Sequence, residues 1–532
     1  MKRNKLFLLA ALLPAMAMQA QTSYEAAALL DTDLSGTARY VGMGGAMSAL
    51  GADMSTMATN PAGTALYRSW DVAFSFGANG VEQLTKSNSD RGRSFKAYGS
   101  FDNAGFVIAS KISNDDALRF VNFGFNYRNV KRYNGKMGMA SNLGGYFSQT
   151  GQMAWQAWEN VGAIDYTYFD PNSSHNLYDY NYFKNESYGW LTLLGAYADL
   201  MGLYAVEDEN GNILYDEEGN VVEDYWYTGS NYGNYSEVLS GGIDAYDFNL
   251  SFNVFDAVYL GATFTLYTVD RQLESNYSEV FDGGNYTLEN FYRTTGKGFD
   301  LKLGAILRPF SEYSFRVGVS ATTPTRYTLR DYNSAIISSH FSNGNNWELD
   351  TYSKDAFGGD CYTDYTMVAP AKVNVSMGGT IGTSLALGAE YEYMNYGATK
   401  LYYDGGMENT DMNTHTSENF NELHTLRLGA EKTFGSFYTR LGYNLQTGGY
   451  KKDAWKMIPI NSVQTNTAYA NIKSTQNFTC GVGFHGDTFY VDAALLYSLQ
   501  KSDFYPFENI ELQATSVSRN LFKGMMTLGV RF

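Results

Sequence analysis

The segment Lys523-Gly-Met-Met-Thr-Leu-Gly-Val-Arg-Phe532 decides the fold. Apolar and polar side chains alternate along it, with Met526, Leu528, Val530 and Phe532 set against Thr527, Gly529 and Arg531. Successive side chains of a β-strand point to opposite faces, so this strand has one apolar face and one polar face. Such a strand fits a membrane-spanning β-barrel, where the apolar face meets lipid and the polar face meets the lumen.

The same alternation recurs along the chain in strands joined by short turns. It is clearest at 245–254, which is followed after Phe255-Asp256-Ala257 by a second alternating segment at 260–266. Bacterial single-chain barrels have an even number of strands, so we count 94–111 as one strand interrupted at Asp102-Asn103-Ala104-Gly105. We therefore predict an all-β, 14-stranded antiparallel transmembrane β-barrel. The other expected strands are 71–79, 119–129, 298–308, 314–322, 372–379, 384–394, 423–433, 436–445, 477–485, 488–498 and 523–532.

Composition agrees with a barrel. The chain is 44% hydrophobic and 17% charged, yet after residue 20 no apolar run is long enough for a spanning helix. Because every backbone polar group inside lipid needs a partner within the protein, a barrel is the remaining membrane form. The alternative is a secreted, soluble β-protein. The net charge of −17 argues against nucleic acid as a partner.

The amino terminus has the layout of a secretory signal peptide. Lys2, Arg3 and Lys5 precede an apolar stretch that ends near Met18, so residues 1–20 are expected to be removed. Together with the barrel pattern, this predicts the outer membrane of a Gram-negative-type bacterium. Phe532 resembles the terminal signature by which barrel proteins are recognised for assembly, so barrel-assembly machinery and outer-membrane lipid are expected partners.

Residues 21–70 differ from the predicted barrel, 71–532. Between positions 36 and 63 the side chains are mostly small and only weakly apolar, and they show no useful alternation. A segment of this kind cannot form a core of its own and needs a larger host. A 14-stranded barrel is wide enough to be an open pore unless it is filled. We therefore predict that residues 21–70 form an N-terminal hatch inside the lumen.

The longest external loop is predicted at 130–244, with helices at 153–161 and 188–204. In the second helix, Trp190, Leu194, Tyr197 and Met201 recur at helical spacing and share one apolar face. Two interpretations stay open for this face. It either packs on the rest of the loop as a cap, or forms a groove that captures a hydrophobic ligand at the cell surface.

The hatch segment resembles a known family. The pattern of Gly42, Gly44 and Gly45, followed by Asp53 and by Asn60-Pro61-Ala62-Gly63, is similar to the amino-terminal hatch of the FadL/TodX outer-membrane transporters of hydrophobic compounds. Thr323-Pro324-Thr325 and the segment 426–431 also look like family positions. The resemblance implies a monomeric barrel with an internal hatch and no cofactor. It also implies that the hatch gates through Gly42, Gly44, Gly45, Asn60, Pro61, Ala62 and Gly63.

The function expected from the resemblance is uptake of hydrophobic small molecules, such as long-chain fatty acids or aromatic compounds, by passive diffusion through the hatch-gated barrel. In the family, release is thought to be sideways at a kinked strand, for which 102–105 is a candidate and a simple bulge the alternative. Two other functions stay open: a barrel that docks or shuttles proteins in export or surface attachment, and haem uptake through tyrosine ligands. No catalytic or metal site is predicted, because the histidines lack the spacing of either; they are His175, His340, His415, His424 and His485.

Overall fold

The computed structural model describes residues 21–114, 116–159, 165–174, 176–179, 182–183, 188–352 and 361–532. The expected signal peptide and His175 lie outside these residues. The α-helices are α1 Ser23–Leu30, α2 Ala38–Gly42, α3 Gln149–Glu159, α4 Trp190–Tyr197 and α5 Thr410–Asn419. Short 3₁₀ helices occur at Met54–Ala58, Pro61–Leu66, Tyr166–Phe169 and Tyr396–Ala398.

The strands are β1 Asp71–Lys86, β2 Arg91–Lys111, β3 Leu118–Arg132, β4 Gly135–Asn142, β5 Met201–Ala205, β6 Glu223–Tyr227, β7 Ser230–Val254, β8 Val258–Phe281, β9 Gly284–Leu307, β10 Arg316–Thr322, β11 Thr325–Phe341, β12 Asn346–Asp350, β13 Cys361–Ala369, β14 Lys372–Ile381, β15 Leu385–Asn395, β16 Lys400–Tyr403, β17 Glu422–Phe434, β18 Phe437–Thr447, β19 Tyr469–His485, β20 Phe489–Tyr505 and β21 Thr515–Arg531.

The sheet closes on itself. β1 pairs antiparallel with β2 on one side and with β21 on the other. We use stave for one crossing of the barrel wall, and four staves consist of two consecutive strands: β3 with β4, β10 with β11, β13 with β14, and β15 with β16. The wall then has 14 antiparallel staves. The predicted fold class is confirmed.

Two of the divided staves break at proline. Pro324 separates β10 from β11, and Pro370 separates β13 from β14. From the sequence alone, a proline at either position predicts a loop, and the structure places both within the wall instead. Proline forfeits one ladder hydrogen bond, but β9 pairs with β10 below the break and with β11 above it, so the stave resumes.

The wall is taller than a membrane. β8 has 24 residues, which at about 3.3 Å per residue is roughly 80 Å of strand. Its outward side chains are apolar and exposed from Leu260 to Leu266, and polar from Thr268 to Ser278. An apolar band about 25 Å tall suffices to span the hydrocarbon. The half of the barrel near the short turns therefore crosses the membrane, and the other half extends above it.

The external loop is shorter than predicted. β4 and β7 continue the wall through residues assigned to the loop, so the excursion between them covers 143–229. It contains α3, α4 and the β5–β6 hairpin, so it is partly helical as predicted. The second predicted helix was too long: α4 ends at Tyr197, Asp199 has a φ of 55°, and Met201 begins β5. The predicted end of the first helix, Val161, lies outside the described residues.

In the described part of the chain, no helix has both the length and the apolar character needed to cross a membrane.

The hatch segment lies inside the bore, against glycines of the wall. A Cβ atom on Gly442 would lie 2.1 Å from the Gly44 nitrogen, and one on Gly388 would lie 2.2 Å from the Ala46 carbonyl oxygen. A Cβ on Gly261 would likewise lie 2.4 Å from Pro61. No side chain fits in these gaps, so the wall glycines permit the hatch backbone to pack directly on the sheet.

Candidate ligand-binding cavity and hatch

A buried ion network holds the hatch to the wall. The Arg39 guanidinium, from α2, donates to both Glu431 carboxylate oxygens at 2.9 and 3.0 Å. Arg440, which is fully buried, donates to the same carboxylate at 2.6 Å and to Asp492 at 2.5 Å. Bidentate, charge-assisted hydrogen bonds of this kind fix orientation as well as position. The hatch is therefore fastened to β17, β18 and β20 at a defined place.

The structure brings the glycines of the predicted hatch motif to the same wall. Gly42 ends α2 beside Gly481 and Arg440. Gly44 has a φ of 63° and Gly45 a φ of 82°, so this turn needs glycine. The turn directs the chain along the wall past Gly442.

The second part of the motif forms a separate contact. Asn60 caps the 3₁₀ helix Pro61–Leu66 by accepting a hydrogen bond from the Ala62 nitrogen at 3.1 Å. Its side-chain amide donates to the Ala305 carbonyl oxygen at 3.3 Å. Pro61 fits the first helical position because it needs no N–H partner there. Both parts of the motif contact the wall, and their gating role remains a proposal.

At the upper end of the hatch, α1 and the inner wall border the upper cavity, a partly open space with a volume of about 210 Å³. Its lining is rich in aromatic rings, contributed by Tyr24, Tyr133, Tyr235, Tyr450, Tyr469 and Phe504. The ring centroids of Tyr24 and Tyr469 lie 5.2 Å apart, and those of Tyr235 and Phe504 lie 4.8 Å apart. Leu239 also lines the cavity. A cavity with this lining favours a small apolar or aromatic guest.

One charged side chain of the upper cavity stands apart. Arg271 is 8% exposed, and its guanidinium carbon lies 5.5 Å from the ring centroid of Tyr133 and 5.8 Å from that of Tyr292. Within the described residues it makes no ion pair, and its Nε and Nη1 atoms are buried without a hydrogen-bond partner. The two rings stabilise the cation but leave its hydrogen-bonding capacity unused.

External segments hold α1 in place. Lys456, fully buried, contacts the Glu25 carboxylate at 2.7 Å, and the Tyr24 hydroxyl donates to Asn471 at 2.7 Å. Ser23 Oγ lies 2.9 Å from His415 Nδ1 on α5. Burial lowers the pKa of the His415 imidazole to about 4, so the ring is neutral at physiological pH.

The segment 28–33 separates the upper cavity from a polar one below it. The Lys131 ammonium contacts the Asp31 and Asp33 carboxylates at 2.8 Å each. The Asp33 nitrogen donates to the Val130 carbonyl oxygen at 2.9 Å, and the Tyr133 hydroxyl donates to that of Ala28 at 2.7 Å. Burial by itself would raise the pKa of the Asp33 carboxyl, but Lys131 holds it below its usual value. We call 28–33 the partition.

The lower cavity, of about 130 Å³, is bordered by charged side chains as the upper one is, but it has fewer aromatic rings. Its lining includes six charged residues of the wall: Arg128, Asp300, Lys302, Lys372, Glu392 and Arg427. Desolvating these groups would cost free energy that an apolar guest cannot return. With fewer rings to offset this cost, the lower cavity is the weaker site for a hydrophobic molecule.

The wall beside the upper cavity contains a seam. The ladder between β2 and β3 stops at Asn103 paired with Arg128, and β4 pairs only with β7 within the described residues. Side chains of β1 and β2 reach β4 in place of the ladder: the Ser94 hydroxyl of β2 donates to the Lys136 carbonyl oxygen, and the Thr85 hydroxyl of β1 donates to that of Gly138 at 2.8 Å. The seam is the part of the wall closed by these side chains.

A β-bulge marks the lower end of the seam. Ser75 pairs with Asn103 and Phe76 with Phe101, so Asp102 is the extra residue. Its carboxylate lies inside the barrel, 2.6 Å from the Lys523 ammonium. The bulge considered as the simpler alternative at 102–105 is therefore present, and it coincides with the point where the wall ladder ends.

Only a thin wall separates the upper cavity from the outside at the seam. An outer groove of about 430 Å³ lies between β2, β4 and β7. Met137 and Tyr235 line both this groove and the upper cavity. Displacing these two side chains would connect the lumen with the exterior.

The predicted capture residues are inside a cap. Trp190, Leu194 and Met201 are 0% exposed, and Tyr197 is partly buried. They pack in one hydrophobic cluster with residues of the wall and of other external loops, such as Tyr286 and Phe507. In this arrangement Trp190, Leu194 and Met201 offer no surface to a ligand, so a capture role for them would require the cap to move.

Sequence reasoning missed Arg271 and the aromatic lining. The predicted strand stopped at Leu266, but the inward series of β8 continues through Tyr267, Val269, Arg271 and Leu273. The signal in the sequence was that Arg271 alternates with the apolar residues Val269 and Leu273, which places a basic side chain on the inward face. In the described residues, no three His, Cys, Asp or Glu side chains are grouped so that they could hold a metal ion.

Comparison with known proteins gives structural likeness only. No family model matches the chain. No curated protein matches it either. Similar solved structures include a Pseudomonas aeruginosa FadL homologue, at 11% identity and a TM-score of 0.48, covering 94% of this chain and 99% of that one. The Pseudomonas putida toluene transporter TodX has 10% identity and a TM-score of 0.47 with the same coverages, and the Ralstonia pickettii toluene transporter TbuX has 14% and 0.43, again with the same coverages.

Proposed function

We propose that this protein is an outer-membrane transporter that takes up hydrophobic small molecules by passive diffusion. The observation that carries the proposal is the upper cavity: an aromatic-lined space inside a closed barrel, with a polar layer below it and a thin seam beside it. Burial of apolar surface at roughly 25 cal/mol per Å² would hold a guest there. A greasy molecule gains no such stabilisation in a water-filled pore.

The route that fits these features is lateral. The cap and the external segments that contact α1 give way to admit a ligand, which then occupies the upper cavity. The charged lower cavity and the hatch oppose further passage towards the short turns. Because Met137 and Tyr235 separate the cavity from the outer groove, the ligand leaves sideways through the seam.

The hatch acts as the lower barrier in this proposal. Gly42, Gly44 and Gly45 place the chain on the wall, and the segment 60–63 wedges against wall glycines. The partition transmits movement of α1 to these contacts, because it contains the end of α1 and the start of the segment 31–37 that leads to α2. In this proposal, the motif residues gate the barrel because their contacts either keep the hatch against the wall or let it move and open the bore.

A reversible cross-link across the seam tests the route. The Ser141 hydroxyl donates to the Asn88 side-chain oxygen at 3.1 Å, so Asn88→Cys with Ser141→Cys places two thiols on opposite sides of the upper seam. We expect oxidation to slow the entry of a fluorescent naphthylamine into vesicles that carry the double variant, and reductant to restore it.

The matched controls are the two single variants, which cannot form this bridge. Oxidation is expected to leave their uptake unchanged. Equal uptake by the oxidised and reduced double variant, with the bridge verified by mass spectrometry, would remove the seam from the route. If vesicles without the protein take up the probe as fast as vesicles that carry it, the proposed transport function itself is contradicted.

The proposal includes a monomer without catalytic activity. Of the histidines in the described residues, His485 contacts Asp492, which is already paired with Arg440, and His415 contacts Ser23 with no carboxylate behind it. Neither arrangement activates a nucleophile. Haem does not suit the upper cavity, since a four-pyrrole macrocycle is far larger than a space of about 210 Å³.

A further inference from the structure

We infer that the upper cavity selects a small aromatic anion, such as an arene carboxylate, over both neutral hydrocarbons and long alkyl chains. The inference rests on the proposed function and narrows its substrate class. It is carried by Arg271, a buried guanidinium that lines the cavity, makes no direct ion pair within the described residues, and has two nitrogens without a hydrogen-bond partner.

Most of the other charges around the cavity are already paired or bonded. Glu25 contacts Lys456, Asp31 contacts Lys131, and Arg132 contacts Asp244 at 3.1 Å. Glu237 accepts a hydrogen bond from the Tyr235 hydroxyl at 2.9 Å. Arg519 also lines the cavity and has no ion pair within the described residues. Lys131 serves two carboxylates, Asp31 and Asp33, so the charges around the cavity balance overall. Within the described residues, Arg271 and Arg519 are the lining cations that make no direct ion pair, and Glu237 is the lining carboxylate that makes none.

The environment of Arg271 prepares it for an anion. Tyr133 and Tyr292 lie near the guanidinium, and their rings help to hold the side chain in one position. A buried cation without a directly bonded anion is costly, and a carboxylate is the partner that guanidinium geometry fits best. A neutral guest would fill the cavity but leave this charge uncompensated.

The volume sets the size of the guest. An apolar cavity of about 150 Å³ binds benzene. The upper cavity, at about 210 Å³, therefore has room for one ring and a substituent. A long alkyl chain would have to extend through the partition or the seam. The aromatic lining adds ring contacts that an alkyl chain cannot make.

Binding of benzoate and toluene to the purified protein in mild detergent tests the inference, because the two molecules have similar shape and differ in charge. We expect the unmodified protein to bind benzoate at least tenfold more tightly than toluene in calorimetry. Arg271→Met should weaken benzoate binding about 10- to 100-fold and leave toluene binding equal or stronger. Arg271→Lys should recover part of the benzoate affinity.

The matched control is Arg330→Met, which removes an arginine from the exterior ion pair with Asp364. It should change neither affinity. Equal binding of toluene and benzoate by the unmodified protein, or unchanged benzoate binding in a folded Arg271→Met variant, would overturn the inference and leave the proposed function standing. Failure of both probes and of palmitate to bind would instead overturn the cavity as a ligand site, and with it the proposed function.

Discussion

Replacing Lys131 with methionine should loosen the partition while leaving the barrel intact. Lys131 contacts Asp31 and Asp33 at 2.8 Å each, and the lysine side chain is only 8% exposed. Removing one member of a buried ion pair strands the other and typically costs 3–5 kcal/mol. The two carboxylates are 16% and 19% exposed, so we take the lower end, about 3 kcal/mol.

This cost applies to local opening of the partition. Because about 1.4 kcal/mol corresponds to a tenfold change, a cost of about 3 kcal/mol predicts roughly 100-fold faster hydrogen exchange at the amides of 28–35. The Asp33 amide is the best reporter, since its hydrogen bond to Val130 opens with the segment. The amides of β17 to β21 should exchange at unchanged rates.

The control is Lys400→Met, which removes an exposed lysine whose single partner is Glu408 at 3.2 Å. Exposed pairs contribute about 0–1 kcal/mol, so exchange at 28–35 should not change. A Lys131→Met protein in which 28–35 exchanges within threefold of the unmodified rate would show that these ion pairs do not hold the partition.

Two further perturbations address the hatch and α1. Gly442→Ala puts a methyl group 2.1 Å from the Gly44 nitrogen, so it should displace the hatch at a cost of about 1–3 kcal/mol and speed hydrogen exchange at the amides of 38–47. The control Gly99→Ala, where the nearest atom is 4.0 Å away, should leave this exchange unchanged. Slow exchange in both variants would contradict the close packing. Burial lowers the pKa of His415 to about 4 in the folded protein, so this imidazole binds a proton more readily when it is exposed. The contact of α5 with α1 should therefore weaken as pH falls from about 6.5 to 4, by up to about 3 kcal/mol. Exchange of the α1 amides, corrected for the intrinsic pH dependence, should rise over this range in the unmodified protein, whereas His415→Gln should show a flat profile; identical profiles would count against the histidine.

The strands of the barrel were predictable where lipid requires outward side chains to be apolar. They were not predictable where the outward side chains face water. From Leu260 to Leu266 the outward side chains must be apolar, so the period of two is visible. Above that band, outward positions such as Asp270 and Glu274 are polar, and the strand reads like a loop. This is why the upper halves of β7 and β8, and Arg271 with them, were not predicted.

The hatch was predictable as a segment that needs a host, but its contacts were not. Its small residues indicate close packing, yet the partners at Gly388, Gly429 and Gly442 lie hundreds of positions away. The same holds for the Arg39–Glu431 contact, which joins the hatch to β17. A single sequence carries no record of which distant residues meet. The seam likewise depends on where neighbouring strands stop pairing, and the residues of one strand do not specify this.

The most direct test of the account is the position of a bound aromatic ligand. Crystals of the protein grown with 4-bromotoluene, measured at the bromine absorption edge, would show the ligand as a single anomalous peak. The account predicts that peak in the upper cavity, between Tyr24 and Leu239. A peak in the lower cavity or within the cap, with the upper cavity empty, would contradict it.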